Sequence, residues 1–165
     1  MSDPVPTFYR PETYRPEDTV AYRMRRITLA LAAQVEHALE PCGLTNAQWI
    51  PLYKLRYAGV TTAAELAREC LLDAGSMTRM LDRLEAKGFV GRTRSQDDRR
   101  VVKLELTAQG RATAETIPGV LCQVQNACLR GFDRTELDVL AGLLDRMLRN
   151  AQEVQAAPEG TGVQA

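Results

Sequence analysis

The sequence is poor in the residues from which most metal sites and many active sites are built. It contains one histidine, His37, and four cysteines that never occur in a CxxC spacing: Cys42, Cys70, Cys122 and Cys128. A zinc site would have to collect single ligands from distant segments, so we predict no bound metal. No GxSxG, HExxH or P-loop motif is present, so we expect no enzymatic activity.

The cysteines lie in apolar, helix-like segments, which is typical of small buried thiols in a reducing compartment. Cys42 differs because it stands between Pro41 and Gly43, in a turn that could expose it to solvent. Oxidation sensing at Cys42 is therefore an alternative hypothesis about function.

Long hydrophobic runs are also absent. No stretch approaches the roughly 18 to 20 apolar residues that cross a bilayer, and the N-terminus has no basic segment followed by an apolar one. We therefore expect a cytoplasmic protein with no membrane partner. The 165 residues carry 21 Lys+Arg and 21 Asp+Glu, so a charge-driven function requires local segregation of charge.

The two ends of the chain differ in composition from its centre. Residues 1–17 hold four of the eight prolines, which excludes a continuous helix, and we predict an N-terminal arm. Its aromatic residues, Phe8, Tyr9 and Tyr14, favour packing on its own or a neighbouring subunit. Residues 156–165 are small and polar, and we predict a disordered tail.

Apolar residues at steps of three and four predict two helices before the centre of the chain. The first starts after Asp18 or Thr19 and ends at Pro41 and Gly43. Thr45 is the expected N-cap of the second helix, which ends near Gly59.

Two short helices follow with a tight connection between them. Thr62 and Glu65 have the spacing of a capping box for the first of these helices, which ends near Leu71. Asp73 or Ser76 can cap the next helix, and Gly88 is placed to terminate it. Two such helices form a helix-turn-helix.

A hairpin is predicted directly behind the helix-turn-helix. Residues 89–94 and 101–106 read as strands, separated by the polar segment 95–100, and such a hairpin forms a wing. Residues 76–103 contain eight basic and four acidic side chains, a net charge of +4. Positive charge on a helix suited to a major groove and on a wing indicates DNA binding.

Individual basic residues allow more than one interpretation. Arg83 and Lys87 are spaced to form a solvated helix face with Asp82 and Glu85, or to contact DNA. Adjacent arginines at a hairpin tip gain little without an anionic partner, so for Arg99 and Arg100 we favour DNA contact.

The last third of the sequence predicts two more helices. Thr107 caps the first, in which we expect a kink at Pro118, and Asp133 with Glu136 resembles a capping box for the second. The apolar stripe from Leu137 to Leu148 requires a partner, either within one subunit or on a second copy.

These motifs together resemble the winged helix-turn-helix of the MarR family of bacterial transcription regulators. The resemblance rests on the recognition-helix pattern from Asp73 to Val90, on Asp98 and Arg100 at the wing tip, and on Leu-Thr-x-x-Gly at residues 106–110. The segment Leu44-Thr-Asn-Ala-Gln-Trp also resembles the start of the family's second helix, and the likeness spans about residues 20–150.

The resemblance implies a mainly α (α+β) fold, in which N- and C-terminal helices form a dimerisation domain around a winged helix-turn-helix. Residues 18–42 and 108–155 would form the dimerisation region and residues 44–107 the DNA-binding domain. The implied partners are a second copy of the chain and double-stranded DNA with a pseudo-palindromic operator.

The resemblance also implies roles for particular residues. At the start of the recognition helix, Ser76, Thr78 and Arg79 would contact bases and phosphates. Arg100 would enter the minor groove, and Asp98 would hold that arginine or the wing backbone by a charge-assisted hydrogen bond. Thr62 would offer a phosphate contact. The predicted DNA-binding set is Thr62, Ser76, Thr78, Arg79, Arg83, Arg94, Asp98, Arg99 and Arg100.

Relatives often respond to small aromatic acids, phenols or lipophilic compounds. The residues expected near such a ligand are Tyr22, Arg26, His37, Trp49 and Tyr53, because aromatic walls with one arginine suit a ring carboxylate. No cofactor is expected beyond this effector, and ordinary core packing is the alternative role of these aromatics. We therefore predict a ligand-responsive repressor, with a winged-helix protein-interaction module as the competing function.

Overall fold

The computed structural model describes residues 4–94 and 102–156, which divide into two compact units between Cys128 and Leu129. Six α-helices and one two-stranded sheet follow two short 3₁₀ turns. They are α1 Val20–Leu39, α2 Asn46–Tyr57, α3 Ala63–Glu69, α4 Ala74–Ala86, β1 Val90–Arg94, β2 Val102–Leu106, α5 Ala108–Cys128 and α6 Arg134–Ala156. The mainly helical winged-helix fold is confirmed, and no helix in these ranges is long and apolar enough to cross a membrane.

The helices of the first unit begin where the capping residues predict. Thr19 Oγ1 accepts a hydrogen bond from Tyr22 N at 3.1 Å and so caps α1. At α3, Thr62 Oγ1 accepts from Glu65 N, and Glu65 Oε2 accepts from Thr62 N, which completes the predicted capping box. Between the two candidates for the cap of α4, the structure selects Asp73.

The first unit is built around one apolar core. Leu39, Leu52, Leu66, Leu84 and Ile117 are completely buried, so α1 to α5 all contribute to it. The antiparallel strands pair from Val90 with Leu106 to Arg94 with Val102. Leu104 N also donates to Thr61 O at 2.7 Å, which attaches the wing to the segment before α3.

The motif Leu-Thr-x-x-Gly is explained by the junction between β2 and α5. Thr107 Oγ1 donates to Gly88 O at 2.6 Å and accepts from Gly110 N at 2.9 Å. A Cβ on Gly110 would lie 1.8 Å from Phe89 O, a distance that no side chain tolerates. The glycine therefore allows α5 to cross the loop that follows α4.

The N-terminal arm packs on the start of α1 in its own subunit. Its 3₁₀ turns span Pro11–Thr13 and Pro16–Asp18, each with proline in its first turn. Tyr9 Oη accepts from Val20 N at 3.1 Å, and the Tyr9 ring meets Tyr14 edge-on with centroids 6.4 Å apart.

The expectation of buried cysteines is wrong for this subunit. Cys122 and Cys128 are exposed, and Cys42 and Cys70 are half-buried. Both exposed thiols lie on α5. Cys42, expected to be the most accessible, has its Sγ 3.8 Å from Thr116 Oγ1. Burial raises the pKa of the Cys70 thiol.

The second unit contains α6. The predicted capping box is present, because Asp133 Oδ1 accepts from Glu136 N at 2.8 Å and Glu136 Oε2 accepts from Asp133 N at 3.0 Å. The helix carries an exposed apolar stripe that consists of Leu140, Leu144, Met147 and Leu148.

In the first unit, α5 is continuous over Pro118, where the sequence predicted a kink.

Candidate nucleic-acid interface

The candidate recognition helix is α4, which has one buried and one exposed face. Met77, Leu81 and Leu84 are nearly inaccessible and hold the helix against the core. Thr78 and Arg79 are exposed, as is Arg83 one turn further on. The buried residues recur at steps of four and three, so the intervening polar residues occupy the outer face. This face is available to a partner.

The first turn of α4 holds Arg79 through a chain of hydrogen bonds. Asp73 Oδ1 accepts from Ser76 N at 2.8 Å, and Asp73 Oδ2 accepts from Ser76 Oγ at 2.6 Å. Ser76 Oγ in turn accepts from Arg79 Nη2 at 3.1 Å. Ser76 is half-buried and its hydroxyl proton is already donated, so in this subunit it positions Arg79.

The hydrogen bonds from the side chain and backbone of Ser76, with the nearby Arg79, hold the pKa of Asp73 below its usual value. A depressed carboxyl pKa means that the ionised form stabilises the fold at pH values above the unfolded-state pKa. That contribution is lost as the pH falls through the folded-state pKa.

We therefore expect Asp73→Asn to lower the free energy of unfolding at pH 7. The difference from wild type should shrink as the pH falls. Asparagine keeps an N-cap acceptor but lacks the charge that Ser76 and Arg79 recognise. Urea unfolding of both proteins at pH 7, 5 and 3.5 measures the difference. A difference that stays constant down to pH 3.5 would contradict the assigned role of the carboxylate.

Arg83 on α4 and Lys87, the residue that follows the helix, are both exposed, but the side chain of Lys87 is already held by hydrogen bonds. Lys87 Nζ donates to Gly43 O at 2.7 Å and to Gln48 Oε1 at 2.8 Å. Lys87 is exposed, as expected of a solvated helix face, and these hydrogen bonds anchor the end of α4 to the start of α2. Among the described residues Arg83 forms no ion pair, which leaves it available to a partner.

An ion-pair cluster connects the wing to α4. Arg92 Nη2 lies 2.5 Å from Asp82 Oδ1, and Arg92 Nε lies 3.4 Å from Glu85 Oε2. Sequence analysis counted Arg92 only as wing charge and missed this role. The cluster fixes β1 against α4 and offsets two negative charges on the helix that would approach phosphates.

We expect Arg92→Ala to weaken DNA binding about tenfold without preventing folding. Two uncompensated carboxylates would then face DNA, and the ion pairs, being partly exposed to solvent, contribute only modestly to stability. Anisotropy titrations at two salt concentrations measure the loss. Arg92→Ala combined with Asp82→Asn and Glu85→Gln should recover much of the affinity, and no recovery would show that the arginine acts in another way.

The remaining predicted DNA contacts lie around the wing. Thr62 is half-buried, caps α3 and forms an isolated bridge with Lys103 on β2, so these residues are adjacent. Hydrogen bonds from the backbone N–H of Thr61 and from Thr62 hold the pKa of Glu65 below its usual value. Arg94 is exposed at the end of β1. The predicted wing-tip contacts, Asp98, Arg99 and Arg100, lie outside the described residues.

The five predicted ligand residues occupy separate places in the subunit. Tyr22 and Arg26 line a cavity of about 490 Å³ on the first half of α1. His37 lines another cavity, of about 600 Å³, at the end of α1, with its Nδ1 3.6 Å from Glu40 Oε2. Trp49 and Tyr53 form an edge-to-face pair on α2 with centroids 6.3 Å apart and pack against the core.

Comparison with known proteins gives consistent matches. The MarR family model matches residues 44–102, which span α2, the helix-turn-helix and the first strand of the wing. The reduced form of MarR from E. coli has 29% sequence identity and a TM-score of 0.70, covering 79% of this chain and 96% of that protein.

Several matching structures contain DNA. A mutant MarR from E. coli complexed with operator DNA has 28% identity and a TM-score of 0.70, covering 78% of this chain and 93% of that one. The transcriptional repressor CouR, bound to a 23-mer DNA duplex, has 27% identity and a TM-score of 0.70. The match covers 80% of this chain and 94% of that one. The match of residues 44–102 to the MarR family model and the fold shared with these solved regulators agree with each other.

Proposed function

We propose that this protein is a transcription regulator that binds double-stranded DNA as a homodimer and represses transcription in the cytoplasm. The observation that carries the proposal is the outer face of α4. This face presents Thr78, Arg79 and Arg83, while Arg92 neutralises Asp82 and Glu85 on the same helix. Two exposed arginines on a helix whose carboxylates are paired with Arg92, together with an adjacent wing, suit a major groove and the flanking backbone.

The two arginines on α4 have different surroundings and therefore different roles. Arg79 is held by Ser76, and a preorganised guanidinium suits bidentate contact with guanine O6 and N7. Arg83 lies one turn further along, where a flexible cation suits a phosphate. Arg94 extends the positive surface along the wing, where Arg99 and Arg100 are predicted to continue it.

Exposed apolar surface on the terminal helices supports dimerisation. In the second unit, the stripe of α6 is uncovered along its length, and in the first unit Val20, Met24 and Ile27 of α1 are exposed. Apolar faces of this extent are typical of an interface with a second copy. A two-fold dimer places its recognition helices about one turn of DNA apart and favours an imperfect palindrome.

A small aromatic carboxylate or phenol is the proposed effector. The support is the cavity beside Tyr22 and Arg26, which pairs a ring with a cation on the helix that we assign to the dimer interface. Binding there would act by shifting the separation of the two DNA-binding domains. We expect benzoate to release DNA from the protein, and the same titration with Arg26→Ala tests the site.

Fluorescence anisotropy with the DNA that flanks the gene and with a scrambled duplex tests the main proposal. We expect tight binding that prefers the flanking DNA and falls steeply as salt rises, since phosphate neutralisation releases counterions. Duplexes enriched from a random pool provide the target if the operator lies elsewhere. Failure to bind any duplex at low salt would favour a winged-helix protein-interaction module.

A further inference from the structure

The turn between α3 and α4 places a leucine where helices usually have glycine. Leu72 N donates to Ala67 O at 2.9 Å, and Leu71 N donates to Arg68 O at 3.2 Å, the two hydrogen bonds of a Schellman motif. Leu71 occupies the left-handed position of this motif, with φ 54°. Among the described residues, every other positive φ belongs to a glycine, including Gly88 at the end of α4.

The conformation of Leu71 has a cost that no contact with the residues of 4–94 and 102–156 offsets. A Cβ in the left-handed region crowds the following carbonyl, so this backbone is less favourable for leucine than for glycine. The side chain is 93% exposed, so it gains almost nothing from burial. A residue whose backbone conformation is unfavourable, and whose side chain is almost fully exposed among the described residues, is suited to an intermolecular contact.

The position of Leu71 indicates which molecule it meets. It lies two residues before Asp73, the N-cap of α4, and the start of a recognition helix is the part that reaches base edges. Leu72 is 38% exposed, and Ala74 and Gly75 are also exposed. The entrance to α4 therefore presents an apolar strip interrupted by Asp73, whose carboxylate is hydrogen-bonded to Ser76.

The charges beside the strip favour DNA over an apolar protein surface. Arg68 on α3 and Arg79 on α4 are exposed at its two ends, so the strip is flanked by cations. In a major groove the apolar group available at a base edge is the thymine C5-methyl, and it lies between phosphate-lined walls. An aliphatic side chain between two arginines matches that arrangement.

We propose that Leu71 is a specificity-determining residue that packs on a thymine methyl at the edge of each operator half-site. This inference rests on the proposed DNA-binding function and adds a base preference to it. Leucine at this position lowers the free energy of unfolding relative to glycine, and it favours thymine over the other bases at the contacted position.

The test compares three variants on two forms of one duplex. Wild-type protein selects a tight-binding duplex from a random pool, and the duplex is then prepared with thymine or with deoxyuridine, which lacks only the methyl group. Leu71→Gly removes both the side chain and the strain, Leu71→Ala removes the side chain and keeps the strain, and Leu71→Met keeps an apolar side chain of similar reach.

We expect Leu71→Gly and Leu71→Ala to bind the thymine duplex about fifteenfold more weakly than wild type. The loss of one buried methyl contact weakens binding about fourfold, and the dimer loses one at each of two half-sites. On the deoxyuridine duplex all four proteins should bind alike, and Leu71→Met should behave as wild type on both. Only Leu71→Gly should unfold at a higher temperature, by roughly 2 °C.

The outcomes separate this inference from the proposed function. If wild type binds duplexes tightly but all variants show the same ratio of thymine to deoxyuridine affinity, the thymine contact is wrong and DNA binding stands. If the variants bind both duplexes equally weakly, Leu71 contacts sugar or phosphate and the base preference is wrong. If wild type binds no duplex, the proposed function fails and this inference fails with it.

Discussion

Replacing Gly110 with alanine is expected to cost about 3 kcal/mol or more of unfolding free energy, at the upper end of what overpacking produces. The added Cβ would lie 1.8 Å from Phe89 O and 2.7 Å from Phe89 C, and backbone atoms cannot swing aside as a flexible side chain can. Either α5 or the loop after α4 must move. The hydrogen bonds of Thr107 to Gly88 and Gly110 would be strained at the same time.

The same helix supplies a matched control. A Cβ on Gly119 would meet nothing within 4 Å, so Gly119→Ala should leave stability unchanged or raise it by up to about 1 kcal/mol through helix propensity. Urea unfolding followed by circular dichroism measures both variants. Equal stabilities for Gly110→Ala and Gly119→Ala would mean that the crossing of α5 over Phe89 is misplaced.

Reversing two charges on α4 is expected to lower operator affinity roughly a thousandfold. Each arginine that contacts DNA contributes about 1 to 3 kcal/mol to binding, and the new carboxylates would add repulsion from the phosphates. The double variant is Arg79→Glu with Arg83→Glu. Both side chains are exposed, so the fold should survive. The dependence of affinity on salt should also become shallower, because fewer phosphates are neutralised.

A control with the same change in net charge isolates the position of the charges. Arg130→Glu with Arg134→Glu has the same spacing of four residues, and both residues are exposed outside α4 and the wing. This variant should retain affinity to within a few-fold. Similar losses for both double variants would show that total charge alone governs binding and that α4 is not the recognition helix. Gel filtration checks that each remains folded.

Local sequence was sufficient to predict where the helices begin and end. A side-chain cap acts within three or four residues, so Thr19, Thr62 and Asp133 identify helix starts without knowledge of the fold. Apolar periodicity is equally local, and it identified the buried face of α4. For the same reason the wing could be predicted as a hairpin, since its strands are joined by a short polar segment.

The candidate site was only partly predictable. Arguments from sequence, namely the family resemblance for Thr78 and Arg79 and the concentration of basic residues for Arg83, identified candidate DNA contacts on α4. They could not show which neighbouring charges were already paired, because the partners lie on other elements. Lys87 is held by Gly43 and Gln48, which are 44 and 39 residues away in sequence.

The sequence by itself determined the order of the helices, their caps and the concentration of positive charge near the wing, because these depend on neighbours within a turn or a hairpin. Tertiary structure decided the use of each side chain. It committed Lys87 and Arg92 to internal contacts, required glycine at residue 110, and left Leu71 exposed in a left-handed turn. Such outcomes depend on distances between segments far apart in the chain, and these distances exist only once the core has formed.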